Sequence, residues 1–347
     1  MIEGAGSSTV ERDRKAEHIR LALSRRMQFE RNYLDDYRFE HSGLPELDLD
    51  DVDVGTSFLG RRLGAPILIS CMTGGTGEAA RINRNLAIGA ERHGFAVGVG
   101  SQRKALEDPA TADSFAVRPY APNVPVLANL GAVQLNYGCG IEQCRQAVAM
   151  IAADALVLHL NPLQEAIQPE GQTRFAGLLD RMAEVARELE VPVVAKEIGC
   201  GLSAAVGRRL LSAGIRILDS AGLGGTSWAR IEAARAGDDP LGELFANWGI
   251  PAPESIQALA ALPGVTVIGS GGVRNGVDVA KAIALGADVV GLAFPFLGAA
   301  AESAEAVDAV CRRLVRELRI CMFCVGARNL AELRRVALTR TADGGSR

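Results

Sequence analysis

Two short segments of this 347-residue chain carry residue types that could do chemistry together. One is Gly269, Ser270, Gly271, Gly272, Val273, Arg274 and Asn275. Its glycines let backbone N–H groups approach an anion, and Arg274 offers a planar fork for phosphate oxygens. The other is His159, Asn161, Gln164 and Glu165, which close an apolar run. Lys196 and Glu197 lie side by side inside another apolar run, where a bare charge is unfavourable. Polar residues end further runs: Thr73 and Gly74 after Met72, then Ser101 and Arg103, Asn129, Asp219 and Ser220, and Thr226 and Ser227. Any one of them reads as a solvated loop residue. Their recurrence at the end of run after run needs a common cause.

The elements that must position them are legible. Short, nearly continuous apolar runs occupy 66–72, 95–100, 124–131, 155–160, 192–198, 216–222, 265–272 and 289–295. Such runs are what strands buried on both faces of a parallel sheet require. Between them, 78–94, 174–190 and 276–286 show apolar residues at helical spacing. Eight strands alternating with helices predict an α/β fold, a closed (β/α)8 TIM barrel; an open doubly wound sheet is the alternative. In such a barrel function gathers at the C-terminal ends of the strands, with a phosphate site after strands seven and eight. The expected organisation is an N-terminal arm over 1–60, a barrel over 61–320 and a C-terminal segment over 321–347. An insertion over 225–250 follows strand six. A terminal helix is expected over 320–338, and the tail TADGGSR reads as disordered.

Composition narrows the partners. Thirty-seven basic residues against forty-one acidic ones argue against nucleic acid. No apolar run reaches the roughly 18 residues of a membrane span. The first residues lack the order of a secretory signal, and seven scattered cysteines form no disulfide framework. The chain therefore reads as a soluble cytoplasmic enzyme. Cys321 and Cys324 form a CxxC without a second pair, a weak metal or redox signal. His41 and His93 read as surface or structural residues, and Trp228 and Trp248 as anchors of the insertion.

Nine segments resemble, in order, the type 2 isopentenyl-diphosphate isomerases, which are FMN-dependent (β/α)8 barrels. They are RKAEH (14–18), MTGG (72–75), GSQR (100–103), HLNPLQE (159–165), QPEG (168–171), KEIGCG (196–201), GGTSW (224–228), NWGIP (247–251) and SGGVRNG (270–276). HLNPLQE with QPEG is the most specific, whereas SGGVRNG is shared with many FMN barrels. One departure is DSAGLGG after strand six, where the family more often has Val after the Asp.

The resemblance implies that Met72, Thr73 and Gly74 contact the flavin ring, with Ser101, Asn129 and Lys196 also at the flavin. It implies an FMN phosphate against Thr226, Gly272, Arg274, Ala293 and Phe294. The substrate diphosphate would be held by Arg14, Lys15, His18, Ser101, Arg103, His159 and Asn161. Gln164 would lie at the reacting carbons, with His159 as the second candidate catalytic residue, and Glu165 would help bind Mg2+. Lys196 would stabilise the anionic reduced ring. The implied reaction is the allylic isomerisation of isopentenyl diphosphate to dimethylallyl diphosphate with reduced FMN, NADPH serving as reductant. A homo-oligomer, tetramer or octamer, is expected, without nucleic acid or membrane.

Two rival readings are an FMN-dependent 2-hydroxy-acid oxidoreductase and a barrel that binds a phosphorylated ligand without catalysis. The first needs a His base and an Arg clamp after strand six, where this chain reads AGLGGTSW without a His. The second would have no use for Gln164, Glu165 and the RKAEH arm together.

Overall fold

The computed structural model describes residues 17–237 and 239–341. Arg14, Lys15 and the tail from residue 342 lie outside the described residues. Eight parallel strands close into a barrel: β1 (Ile67–Ile69), β2 (Ala96–Gly98), β3 (Val126–Gly131), β4 (Ala155–Leu160), β5 (Val193–Glu197), β6 (Ile217–Asp219), β7 (Thr266–Ser270) and β8 (Val289–Leu292). Each falls inside one of the eight apolar runs, so the TIM barrel is the observed fold.

Strand alternation organises the interior. Leu68, Ala96, Leu127, Ala155, Val157, Val194, Ile268 and Val289 point inward and form one apolar cluster. Phe58 and Leu63, from the hairpin of Thr56–Phe58 and Arg61–Leu63, join it. The opposite faces of the strands pack on the surrounding helices in a second, larger cluster. Fully burying a side chain such as Phe95 or Leu130 contributes about 1.5–3 kcal/mol. Two residues beyond Leu127, Val157, Val194, Ile217 and Ile268 come Asn129, His159, Lys196, Asp219 and Ser270. A period of two keeps all five on the inward face, one layer nearer the C-terminal mouth.

The helices over Gly77–His93, Leu178–Glu188 and Gly276–Ala284 lie where the periodicity put them. Thr76 and Asn275 cap two of these through their side chains. The expected helix over 320–338 is corrected. A helix over Ala304–Cys324 ends earlier, with Gly326 at φ +71°. Asn329 then caps a short helix, Leu330–Leu333. The chain finishes as a strand, Leu338–Arg340, antiparallel to Tyr37–Phe39 of the N-terminal arm. Leu-Thr-Arg beside Tyr-Arg-Phe has strand chemistry that a helical reading overlooks.

The described part of the arm is pinned at the barrel mouth. Phe29 N donates to Gly225 O, and Ser227 N to Met27 O, both at 2.8 Å. This antiparallel bridge sets Gln28 beside Thr226. The insertion after β6 carries helices Trp228–Arg235 and Leu241–Leu244. His41 is exposed, and His93 Nε2 meets Asp308 Oδ1 at 2.7 Å, joining two helices.

Candidate active site

A cavity of about 710 Å³ opens at the C-terminal mouth of the barrel. Every candidate site residue within the described chain lines it, from His18 on the arm to Ala293 and Phe294 after β8. The structure thus brings together residues contributed by the ends of all eight strands. Trp228 also lines the cavity, edge-on to His18 with ring centroids 5.3 Å apart, which corrects its reading as a mere anchor. Trp248 is 63% exposed and packs edge-on against Phe245.

His159 is fixed from below. Its Nδ1 lies 2.8 Å from Asn129 Oδ1, so the ring proton sits on Nδ1 and leaves Nε2 as an acceptor. Burial, followed by the positive charge of Lys196, pushes its pKa down to about 4. The ring is therefore neutral at pH 7.

Gln164 is fixed at both ends of its amide. Its Nε2 donates to Glu232 Oε1 at 2.6 Å, and its Oε1 accepts from Asn161 Nδ2 at 3.0 Å. Only the NH2 end can face a carboxylate, so the charge of Glu232 sets the amide orientation. Glu232 is fully buried, with Arg235 Nη1 at 2.5 Å and His18 Nε2 at 3.0 Å. Burial pushes its pKa up, but its contacts with His18, Gln164 and Arg235 outweigh this and hold it at about 2. The anion thus ties the arm, the loop after β4 and the insertion to one point. Glu232 was missed in sequence because WARIEAAR reads as an ordinary polar helix.

Glu165 is a buried carboxylate whose hydrogen bonds all come from neutral donors. Asn161 Nδ2 reaches Oε1 at 2.8 Å, while Gln168 Nε2 and Gln172 N reach Oε2 at 2.7 and 2.6 Å. Asn161 Oδ1, buried beside it, has no hydrogen-bond partner among the described residues. Unused lone pairs and an uncompensated negative charge fit a hard cation such as Mg2+. Among the described residues no group of three or more His, Cys, Asp or Glu could hold a metal by itself. One carboxylate completed by ligand oxygens is how Mg2+ is usually held at phosphate sites.

Across the mouth, the turn after β7 forms an anion cradle. Gly271 and Gly272 adopt φ of +111° and +77°. A Cβ on Gly272 would lie 2.6 Å from Gly224 O, so this close approach also requires glycine. Arg274 Nη2 donates to Gln28 Oε1 at 2.6 Å, and Gln28 Nε2 donates to Thr226 Oγ1 at 3.1 Å. Its guanidinium carbon sits 4.6 Å over the Phe294 ring. A half-buried cation bonded to a neutral amide, beside a hydroxyl and a glycine turn, fits the phosphate of FMN. Gln28 was missed because the arm offers no pattern that points to β6 or β7.

Relatives place this geometry. Proteins named isopentenyl-diphosphate delta-isomerase from Nostoc sp. and Synechococcus sp. are 51% and 53% identical to the chain. The alignments cover 92% and 94% of this chain and 93% and 96% of those proteins. The chain belongs to the isopentenyl-diphosphate delta-isomerase family. Residues 245–340 also match the family model for FMN-dependent dehydrogenases. Among solved structures, a mandelate oxidase with benzoyl-formic acid is similar at a TM-score of 0.64 and 18% identity, covering 93% of this chain and 90% of that one. A mandelate oxidase variant with 2-hydroxy-phenylacetamide gives 0.64 and 19%, covering 94% and 91%. At such identities the likeness is one of fold. The isomerase family's own relatives, at half identity over nearly the whole chain, take precedence over the oxidase reading. No helix among the described residues is long and apolar enough to cross a membrane.

Proposed function

We propose that this enzyme converts isopentenyl diphosphate to dimethylallyl diphosphate, using FMN in its reduced form and Mg2+. The observation that carries this reading is a cavity with two clusters of groups suited to phosphate on opposite walls. The Gly271–Gly272 cradle with Thr226 and Arg274 follows β6 and β7, whereas Arg103, Asn161 and Glu165 follow β2 and β4. In a ring of eight strands, β3 and β7 are diametrically opposed. One station suits the FMN phosphate, and the other suits a diphosphate with its metal.

The reaction adds a proton to the terminal alkene carbon and removes one from C2. Reduced FMN supplies an electron-rich ring beside the cationic character that protonation creates. The chain's residues do the rest. Arg103, Asn161 and His18, with Arg14 and Lys15, would bind the diphosphate, and Glu165 would hold Mg2+ beside it. This remote binding positions the hydrocarbon. Gln164, oriented by Glu232, presents a fixed amide to the reacting carbons. His159, neutral and held by Asn129, would line the diphosphate side of the site. Met72, Thr73 and Gly74 would hold the ring, and Lys196 would stabilise its anionic form.

The enzyme acts in the cytoplasm as a tetramer or octamer, with NADPH as the source of electrons; light scattering on the purified protein checks the assembly. An anaerobic assay with isopentenyl diphosphate, Mg2+ and FMN tests the function. Product should form in large excess over the NADPH or dithionite consumed. One equivalent of reductant per product would restore the oxidoreductase reading.

A further inference from the structure

Asp219 has no role in the reading above, yet its carboxylate is 1% exposed and lies behind Lys196 and Ser270, which line the cavity. Strand register sets it beside Lys196 of β5. Lys196 Nζ lies 3.3 Å from Asp219 Oδ2 and donates to Glu197 O at 3.0 Å. Asp219 Oδ1 accepts from the Ser270 hydroxyl of β7. Ser270 Oγ in turn accepts from Ala221 N at 3.1 Å. Ala221 sits at φ +36°, a strained conformation for a residue with a Cβ, at the turn that delivers this N–H. Ser220 clasps the same partner: its hydroxyl donates to Ser270 O at 3.0 Å and accepts from Ser270 N at 2.9 Å. That is the position where DSAGLGG departs from the more usual Val.

An ammonium has three N–H donors. One is donated to the Glu197 carbonyl and Asp219 pairs with the head group from the same side, so the ammonium still has donor capacity towards the cavity that Lys196 lines. A lysine stem is flexible, so acceptors on one side confine the head group. The other titratable groups around this ammonium are Cys71, His159 and the Glu197 carboxyl, and at neutral pH neither Cys71 nor His159 is charged.

We propose that Asp219, braced by Ser270, is a positioning residue that holds the Lys196 ammonium aimed into the cavity. There it stabilises negative charge on the edge of the bound flavin ring, a role that rests on the FMN reading above.

Sulfite binding to the oxidised, FMN-loaded protein tests this, because it places negative charge on the ring and its Kd reads how well that charge is stabilised. Asp219→Asn should raise the sulfite Kd by about tenfold while FMN still binds, and should raise it no further on top of Lys196→Met. Ser270→Ala, which only loosens the brace, should raise it by a smaller factor and serves if Asp219→Asn fails to fold. A sulfite Kd unchanged or lowered by Asp219→Asn in the presence of Lys196 overturns the proposal. So does an equal rise in both backgrounds, since Asp219 would then act without Lys196. A wild-type protein that takes up no FMN would instead remove the reading on which the proposal stands.

Discussion

At the scale of single residues, the loop after β4 separates two roles within two neighbouring positions. Gln164 turns to Glu232, and Glu165 turns to Gln168 and Gln172. Glu165→Gln keeps the size but removes the charge that a hard cation prefers. It should raise the Mg2+ concentration for half-maximal rate by roughly tenfold or more, with FMN affinity unchanged. Wild-type Mg2+ dependence in that variant would end the metal assignment. Gln164→Ala should lower kcat more than it changes KM, because the amide would act where the bonds change. If both variants instead lost flavin and melting temperature together, the two side chains would merely hold the loop. Steady-state kinetics, flavin titration and a melting curve on each variant separate these cases.

At the scale of elements, the β7 turn and the arm act as one unit. Gly272 is confined by Gly224 O, and Arg274 by Gln28. Gly272→Ala forces a Cβ into that contact at a positive φ, a strain of about 1–3 kcal/mol. It should weaken FMN binding at least as much as Arg274→Ala, and fluorescence titration of FMN reads both. Equal FMN affinity in wild type and both variants would displace the flavin phosphate from this turn. Much of this was legible: the glycine turn, Arg274 and the strand ends are local patterns. Gln28 was not, since its partners lie 198 and 246 residues away. The C-terminal strand was misread for the same reason, because Leu338–Arg340 becomes a strand only by pairing with Tyr37–Phe39.

At the scale of the whole molecule, buried charge sets the response to acid. His159 titrates near pH 4 in the fold against an ordinary value of 6.5. Its stabilising contribution is full above about pH 6.5 and is lost as pH falls towards 4, because the unfolded chain takes a proton that the fold refuses. Glu197 runs the other way. Burial raises its pKa to about 7 against three backbone N–H donors, so its contribution is lost as pH rises from 4.5 to 7. The two oppose one another between pH 4.5 and 6.5. Glu232, held near 2 against 4.5, contributes above pH 4.5 and loses that contribution as pH falls to 2. The melting temperature should therefore change gently down to about pH 4.5 and fall steeply below it. Glu232→Gln should flatten the steep part; an unchanged acid slope in that variant would move the cause elsewhere.

The eight apolar runs, the helical spacing between them and the glycine turn determined the barrel, its mouth and a phosphate site, since each depends on residues within a few positions of one another. Even the inward face of Asn129, His159, Lys196, Asp219 and Ser270 follows from a period of two, once the strands are known. Tertiary structure alone decided the partners. Gln164 meets Glu232 across 68 residues, and Ser270 meets Asp219 across 51. Such pairs leave no local trace, because a polar residue on an ordinary helix looks the same whether it faces water or a buried amide. Closure of the ring turns scattered polar residues into one charged floor, and docking of the arm sets Gln28 and His18 over it.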